Sequence, residues 1–359
     1  MNFRMPNPVS AAALSALAVA LGTLGAFGLG ACAGEGAENL SSDGAETLPD
    51  PSALASNETV PASEGAACEG NPAGQSEPLS TLACLRKFAL DLTNRRPTDQ
   101  EIADVQSGTK SLEDMADVYL ATPQFSTVVL RWFLGEFEPT DLIPENADKE
   151  EPARLAQYLV TNDIDFRQLV TADYSIDGQG AKTTAANASG ILTTQAFLSA
   201  YTGNRNRNWS GHLLSSLTGI VLVPVQEVPP GVDASREGLA AIPACAGCHV
   251  NPVYGVDFLA AFHDCHDDKG LPIAGCALQE KQFLGKTGKS LPDLGKILSD
   301  SVEWRATAIQ TFYKQLGGRA MGKNEVDQYR AYEGAWEAAG YKPKALIKHI
   351  VTSPQYCAQ

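Results

Sequence analysis

Leu85-Arg86-Lys87-Phe88-Ala89-Leu90-Asp91-Leu92 sets Leu85, Phe88, Ala89 and Leu92 at the i, i+3, i+4, i+7 spacing of one apolar helix face. Beyond it, Thr98-Asp99-Gln100-Glu101 has the pattern of a capping box, in which the Thr98 hydroxyl accepts from the Glu101 amide and a second helix begins. Ile102 and Val105, then Leu112, Met115, Val118 and Tyr119, continue the helical period. Strand signals are scarce. The best is Gly219 to Val225, with Ile220, Val221, Leu222 and Val223 in a row before a proline-rich loop. The expected class is mainly α, a multi-helix body.

Aligning Phe88 with Phe312 superimposes Leu92, Arg95, Glu101 and Ile102 on Leu316, Arg319, Glu325 and Val326 without a gap. Thr122-Pro123-Gln124-Phe125 is echoed by Ser353-Pro354-Gln355-Tyr356. Each copy reads as helix, short loop, capped helix and a third helix ending in a proline turn, so an internal helical repeat is expected. The chain divides accordingly: 1–31 a signal peptide, 32–79 a tether, 80–185 an N-terminal helical domain, 186–290 a module built around a single haem, and 291–359 a C-terminal helical domain repeating 84–125.

The amino-terminal segments set the compartment. One basic residue, Arg4, precedes an apolar and small-residue run from Ala11 to Leu29, which ends in Leu29-Gly30-Ala31-Cys32. This is a signal-peptide layout whose last four residues resemble a bacterial lipobox, with Cys32 diacylated as the mature N-terminus. Two acyl chains suffice for stable anchoring, so the lipid membrane is an expected partner through Cys32. Residues 33–85 carry nine acidic side chains and no Lys or Arg among Ala, Gly, Ser and Pro, a composition that cannot offset its own ordering entropy; a disordered tether is expected. The whole chain has 27 basic and 42 acidic residues, a net charge of −15. It therefore lacks the counter-charge that phosphate backbones need, and nucleic acid is excluded as a partner. The expected location is the cell envelope, facing the periplasm or the cell surface. Ala33 rather than Asp after the lipidated cysteine favours the outer membrane by analogy.

Cys245-Ala246-Gly247-Cys248-His249 is a C-x-x-C-H sequence, the pattern of covalent c-type haem attachment. Two thiols one helical turn apart reach both vinyl groups of a porphyrin, and the next residue directs its imidazole at the iron. One haem c is the expected cofactor, with Cys245 and Cys248 as thioether anchors and His249 as proximal ligand. The competing readings are a dithiol redox pair and half of a zinc site. Candidates for the sixth ligand are His263 and His266, 14 and 17 residues after His249, and Met321. His212 and an open iron position remain alternatives. Met321 also reads as a hydrophobic staple packing on Val326. Cys265 and Cys276 bracket a turn-rich loop and suggest a disulfide in an oxidising compartment; a zinc site from His263, Cys265, His266 and Cys276 is the rival. Cys68, Cys84 and Cys357 then remain, an odd set with Cys265 and Cys276 included.

Gly190-Ile191-Leu192-Thr193, Phe197-Leu198, the loop Val223-Pro224 to Pro229-Pro230, and C-x-x-C-H followed by Asn251-Pro252 and Gly255 together resemble the uncharacterised planctomycete and myxobacterial cytochrome c-like families. Leu85 to Phe137, Phe166 to Tyr174 and Arg305 to Tyr356 resemble further modules of that group. The chain departs from the pattern where Ser210 replaces the arginine usual before Gly211, and in the spacing between His249 and Gly255. The resemblance implies haem c binding and supplies no substrate.

Two classes of function follow. The first is an electron-transfer cytochrome exchanging electrons with a redox partner protein. The second is a peroxidase-like enzyme acting on a small molecule, with His212 or His266 as distal acid or base; a binding scaffold with a structural haem is a third reading. Whether the chain is an enzyme is left open by the sequence.

Overall fold

The helix predicted over Leu85–Leu92 spans Thr81–Thr93 (α1) and is fixed at both ends. Ser80 Oγ accepts from the Ala83 amide, and the helix closes at Asn94, whose left-handed backbone (φ 54°) lets its amide donate to the Leu90 carbonyl. In this computed structural model, residues 80–137, 143–201, 206–222, 231 and 233–358 are described. The expected signal peptide and tether, with Cys32 and Cys68, lie outside them, as does the proline-rich segment 223–230. Among the described residues, no helix is long and apolar enough to cross a membrane.

The protein is mainly α. Helix α2 (Asp99–Gln106) starts at the Thr98 capping box, with both reciprocal bonds present. The following helices are α3 (Leu112–Leu120), α4 (Pro123–Glu136), α5 (Glu151–Thr161) and the short α6 (Gln168–Thr171). A middle set of short helices comprises α7 (Gln195–Ser199), α8 (Arg207–Leu213), α9 (Arg236–Ala240), α10 (Pro243–His249) and α11 (Val256–Ala260). The chain ends in α12 (Leu291–Ser299), α13 (Val302–Gly317), α14 (Val326–Ala338), α15 (Pro343–Val351) and α16 (Pro354–Cys357).

The strand expected from Gly219 is not formed over Gly219–Leu222, and the rest of that stretch lies outside the described residues. Instead α8 continues as a π-helical turn, Leu214–Thr218, and stops at Gly219 in the left-handed region (φ 67°). Among the described residues no strand pairs with Gly219–Leu222. The strands of the described residues form two small antiparallel hairpins, β1 (Tyr174–Ile176) with β2 (Lys182–Thr184) and β3 (Lys281–Phe283) with β4 (Lys286–Gly288). Leu284 and Gly285, both at positive φ, make the two-residue turn of the second.

One apolar core crosses both internal boundaries expected from the sequence. Phe166 sits at its centre, 5.1 Å from the Phe312 ring of α13 and 6.1 Å from Trp304; Phe133 of α4 closes on Phe312 at 6.0 Å. Trp209 of α8 and Phe262 belong to the same cluster, so the three expected parts share an interior. Burial of each such ring contributes about 1.5–3 kcal/mol. Helix α12 approaches α6 so closely that a Cβ at Gly295 would lie 2.1 Å from the Val170 carbonyl oxygen. A disulfide joins Cys84 of α1 to Cys357 of α16, 273 positions apart. The first and last helices are thereby tied.

Two corners of the body are built alike. After α1, Arg95 forms a two-pronged ion pair with Glu101, which also accepts from the Thr98 amide and the Tyr119 hydroxyl. After α13, Arg319 does the same with Glu325, which accepts from the Gly322 amide and the Tyr313 hydroxyl. Thr122 and Ser353 each cap a proline-started helix by accepting from the Phe125 and Tyr356 amides.

Candidate functional site

The C-x-x-C-H segment forms α10 itself. Ile242 enters it extended, Pro243 occupies the first turn where no amide is needed, and the chain leaves at Val250. Cys245 and Cys248 stand one turn apart on it; Cys245 and His249 are buried and Cys248 half-buried. Neither cysteine takes part in the two disulfides of the described residues.

A tight turn returns the chain to His249. Asn251 Oδ1 accepts from the Val253 and Tyr254 amides, and the Asn251 carbonyl from the Gly255 amide at 2.8 Å. The backbone passes so near itself that a Cβ on Gly255 would lie 2.6 Å from the Asn251 carbonyl oxygen and 2.9 Å from that of His249. Only glycine fits there. Helix α11 starts immediately after it and brings Asp257, in its first turn, against the imidazole.

His249 Nδ1 lies 3.2 Å from Asp257 Oδ1. Arg207 of α8 grips the same carboxylate from elsewhere, its Nε donating to Oδ1 at 2.5 Å and its Nη2 to Oδ2 at 3.0 Å. A further bond from Nη2 to the Ala234 carbonyl holds the guanidinium in plane. All three side chains are under a tenth exposed. Burial alone would raise the Asp257 carboxyl; the hydrogen bonds from His249 and Arg207, with the Arg207 charge, outweigh it and hold it below the usual range. An ionised carboxylate only accepts, so His249 Nδ1 donates to it; in the neutral imidazole that leaves Nε2 as the acceptor. The residues thus fit an iron porphyrin: two cysteines one turn apart, a neighbouring imidazole with Nε2 as acceptor, and a fixed ring orientation.

The remaining candidates occupy other surroundings. His263 is 1% exposed, and its Nε2 donates to the Leu198 carbonyl at 2.8 Å while its ring meets Trp209 edge-on. His263 Nδ1 and His266 Nδ1 are buried without a hydrogen-bond partner, the two rings 5.7 Å apart. Burial lowers the pKa of both, and for His266 the neighbouring His263 adds to it. His212 stacks on Tyr201 at 4.0 Å, and burial pushes it down to about 4. The Met321 amide donates to Gln310 Oε1, its side chain half-buried against the main core. Val326, the residue it would staple against, is 47% exposed. Among the described residues, no hydrogen bond or ring contact joins any of these to His249. Cys265 and Cys276 are joined as a disulfide, which removes both thiolates from the rival zinc reading, and no cluster of three metal-binding side chains occurs among the described residues.

Sequence reasoning missed Arg207 and Asp257. Single acidic residues in so acidic a chain read as solvated surface, and the arginine expected before Gly211 is Ser210, which donates to the Asn206 carbonyl. Arg207, one turn earlier, supplies a guanidinium. The one available signal was Gly255, whose conformational demand places the next helix against the motif.

No family model, no curated protein and no solved structure matches the chain.

Proposed function

We propose that the chain is a c-type cytochrome of the cell envelope that holds one covalent haem and transfers electrons, tethered to the membrane by a lipid on Cys32. Cys245 and Cys248 would carry the thioether links, and His249 Nε2 would bind the iron. When bound, the haem supplies a one-electron Fe(III)/Fe(II) couple. The observation that carries the reading is the hydrogen bond from His249 Nδ1 to a clamped carboxylate, the arrangement by which proteins orient a metal-binding imidazole. Asp257 fixes the tautomer, Arg207 holds Asp257, and Gly255 allows the turn that brings them together. The planctomycete and myxobacterial cytochrome c-like resemblance points the same way.

The two Arg–Glu corners and the paired Thr122 and Ser353 caps support a duplicated helical unit, 84–125 and 291–359, flanking the haem-binding segment.

The test is maturation of the full chain in a cell exporting covalent cytochromes. One haem per chain by pyridine haemochrome, lost in Cys245→Ser/Cys248→Ser, is the expected result; haem-free wild-type protein overturns the reading. Oxidised and reduced spectra unmoved by cyanide favour electron transfer over small-molecule catalysis. Cys32→Ser should move the protein from the membrane to the soluble fraction; unchanged membrane partitioning of the cleaved variant overturns the anchor.

A further inference from the structure

The contact that orients His249 also has a sign. Its acceptor is a full carboxylate rather than a backbone carbonyl, and Arg207 approaches that carboxylate through Nε and Nη2 while His249 meets it through Nδ1. The order along the contact is guanidinium, carboxylate, imidazole, so the negative end of the pair lies next to the ring. With all three groups buried, little solvent screens it.

Resting on the haem reading above, we propose that Asp257, clamped by Arg207, is a positioning residue that strengthens His249 as an iron ligand and biases the bound haem towards Fe(III). A carboxylate accepting from Nδ1–H raises the basicity of the ligating nitrogen, and a more basic ligand favours the metal state of higher charge. In the couple Fe(III) + e⁻ → Fe(II) no bond to His249 forms or breaks; the electron comes from an external one-electron reductant, dithionite in the test. Arg207 matters because a charge at this depth is costly unless paired, and its two hydrogen bonds supply the pairing.

The experiment is a mediated redox titration of the holoprotein and its Asp257→Asn variant, each with haem quantified first. Asn keeps the size of the side chain and removes the charge. The variant should carry haem, and at a fixed ambient potential its oxidised-to-reduced ratio should fall at least tenfold, an upward shift of about 59 mV for one electron. Asp257→Glu should retain part of the wild-type bias. A haem-loaded Asp257→Asn protein with an unmoved midpoint overturns the inference and leaves the haem reading standing. A wild-type chain without haem overturns both. Should Asp257→Asn fail to mature, nuclear magnetic resonance of ¹⁵N-histidine-labelled, reduced wild-type protein decides. A protonated, slowly exchanging His249 Nδ1 is expected; exchange as fast as in a solvent-exposed imidazole overturns the inference.

Discussion

Replacing Cys84 and Cys357 together by Ala opens a covalent loop that encloses nearly the whole folded body. The bond spans 273 positions. On the chain-entropy relation, closing a loop of that size removes unfolded-state freedom worth about 5–6 kcal/mol at 25 °C, whereas the 11-position Cys265–Cys276 loop removes about 3. Measured values fall short of this relation, and about 2–4 kcal/mol for the long loop is the working expectation. For a body of this size that is a fall in melting temperature of roughly 5–15 °C. Both sulfurs are buried beside the Val351 carbonyl, so the double Ala variant also loses some packing. A phosphine reductant applied to the Cys265→Ala/Cys276→Ala variant is the control that opens the long loop while keeping both its sulfurs. Urea unfolding followed by far-ultraviolet circular dichroism measures the loss. If the long-loop variant is no less stable than the Cys265→Ala/Cys276→Ala variant, the reasoning is wrong and the unfolded chain is already compact around those ends.

Acid should act on the two Arg–Glu corners. The Arg95 bond holds Glu101, and the Arg319 bond holds Glu325, each at about 2 against an ordinary 4.5. Their contribution is full above pH 4.5 and is lost as pH falls towards 2; at these solvent-screened corners it is about 1 kcal/mol each, and Glu101→Gln/Glu325→Gln should remove that part of the acid limb in urea titrations. His212, held down to about 4 by burial, adds stability that is present above pH 6.5 and is lost as pH falls to about 4. His212→Phe should flatten stability over that window by up to about 3 kcal/mol, and an unchanged pH profile would show that the imidazole is hydrated in solution. Gly255→Ala forces a Cβ into two carbonyl oxygens and should cost about 2–4 kcal/mol by thermal melting, with a parallel fall in haem yield; a wild-type melt would mean the Asn251 turn relaxes freely.

Local signals in the sequence carried the helical framework. Leu85, Phe88, Ala89 and Leu92 form the buried face of α1, and the Thr98–Glu101 box starts α2, because periodicity and capping are decided within a few residues. The C-x-x-C-H spacing likewise needs only one turn of helix. What stayed hidden depends on distant partners. The Arg207–Asp257 contact spans 50 positions, and the pairing of Cys84 with Cys357 is set by how α1 and α16 dock, which parity of cysteines does not reveal. The apolar run at Gly219–Leu222 has strand composition, yet among the described residues no strand pairs with it. The β3–β4 hairpin, in turn, makes its reversal with Leu284-Gly285, where an Asn-Gly pair would have announced it.

The bond between Cys84 and Cys357 also changes what a protease can accomplish. One proteolytic cut anywhere between those two positions yields two fragments that remain covalently joined, so a nicked body is still one molecule and its buried groups have a route back to register. Tension applied at the two ends of the described chain runs through two sulfur atoms and bypasses the helices between them. A severed or pulled chain therefore keeps its parts together unless the bond is reduced, while a single cut ahead of Cys84 would leave the whole body intact.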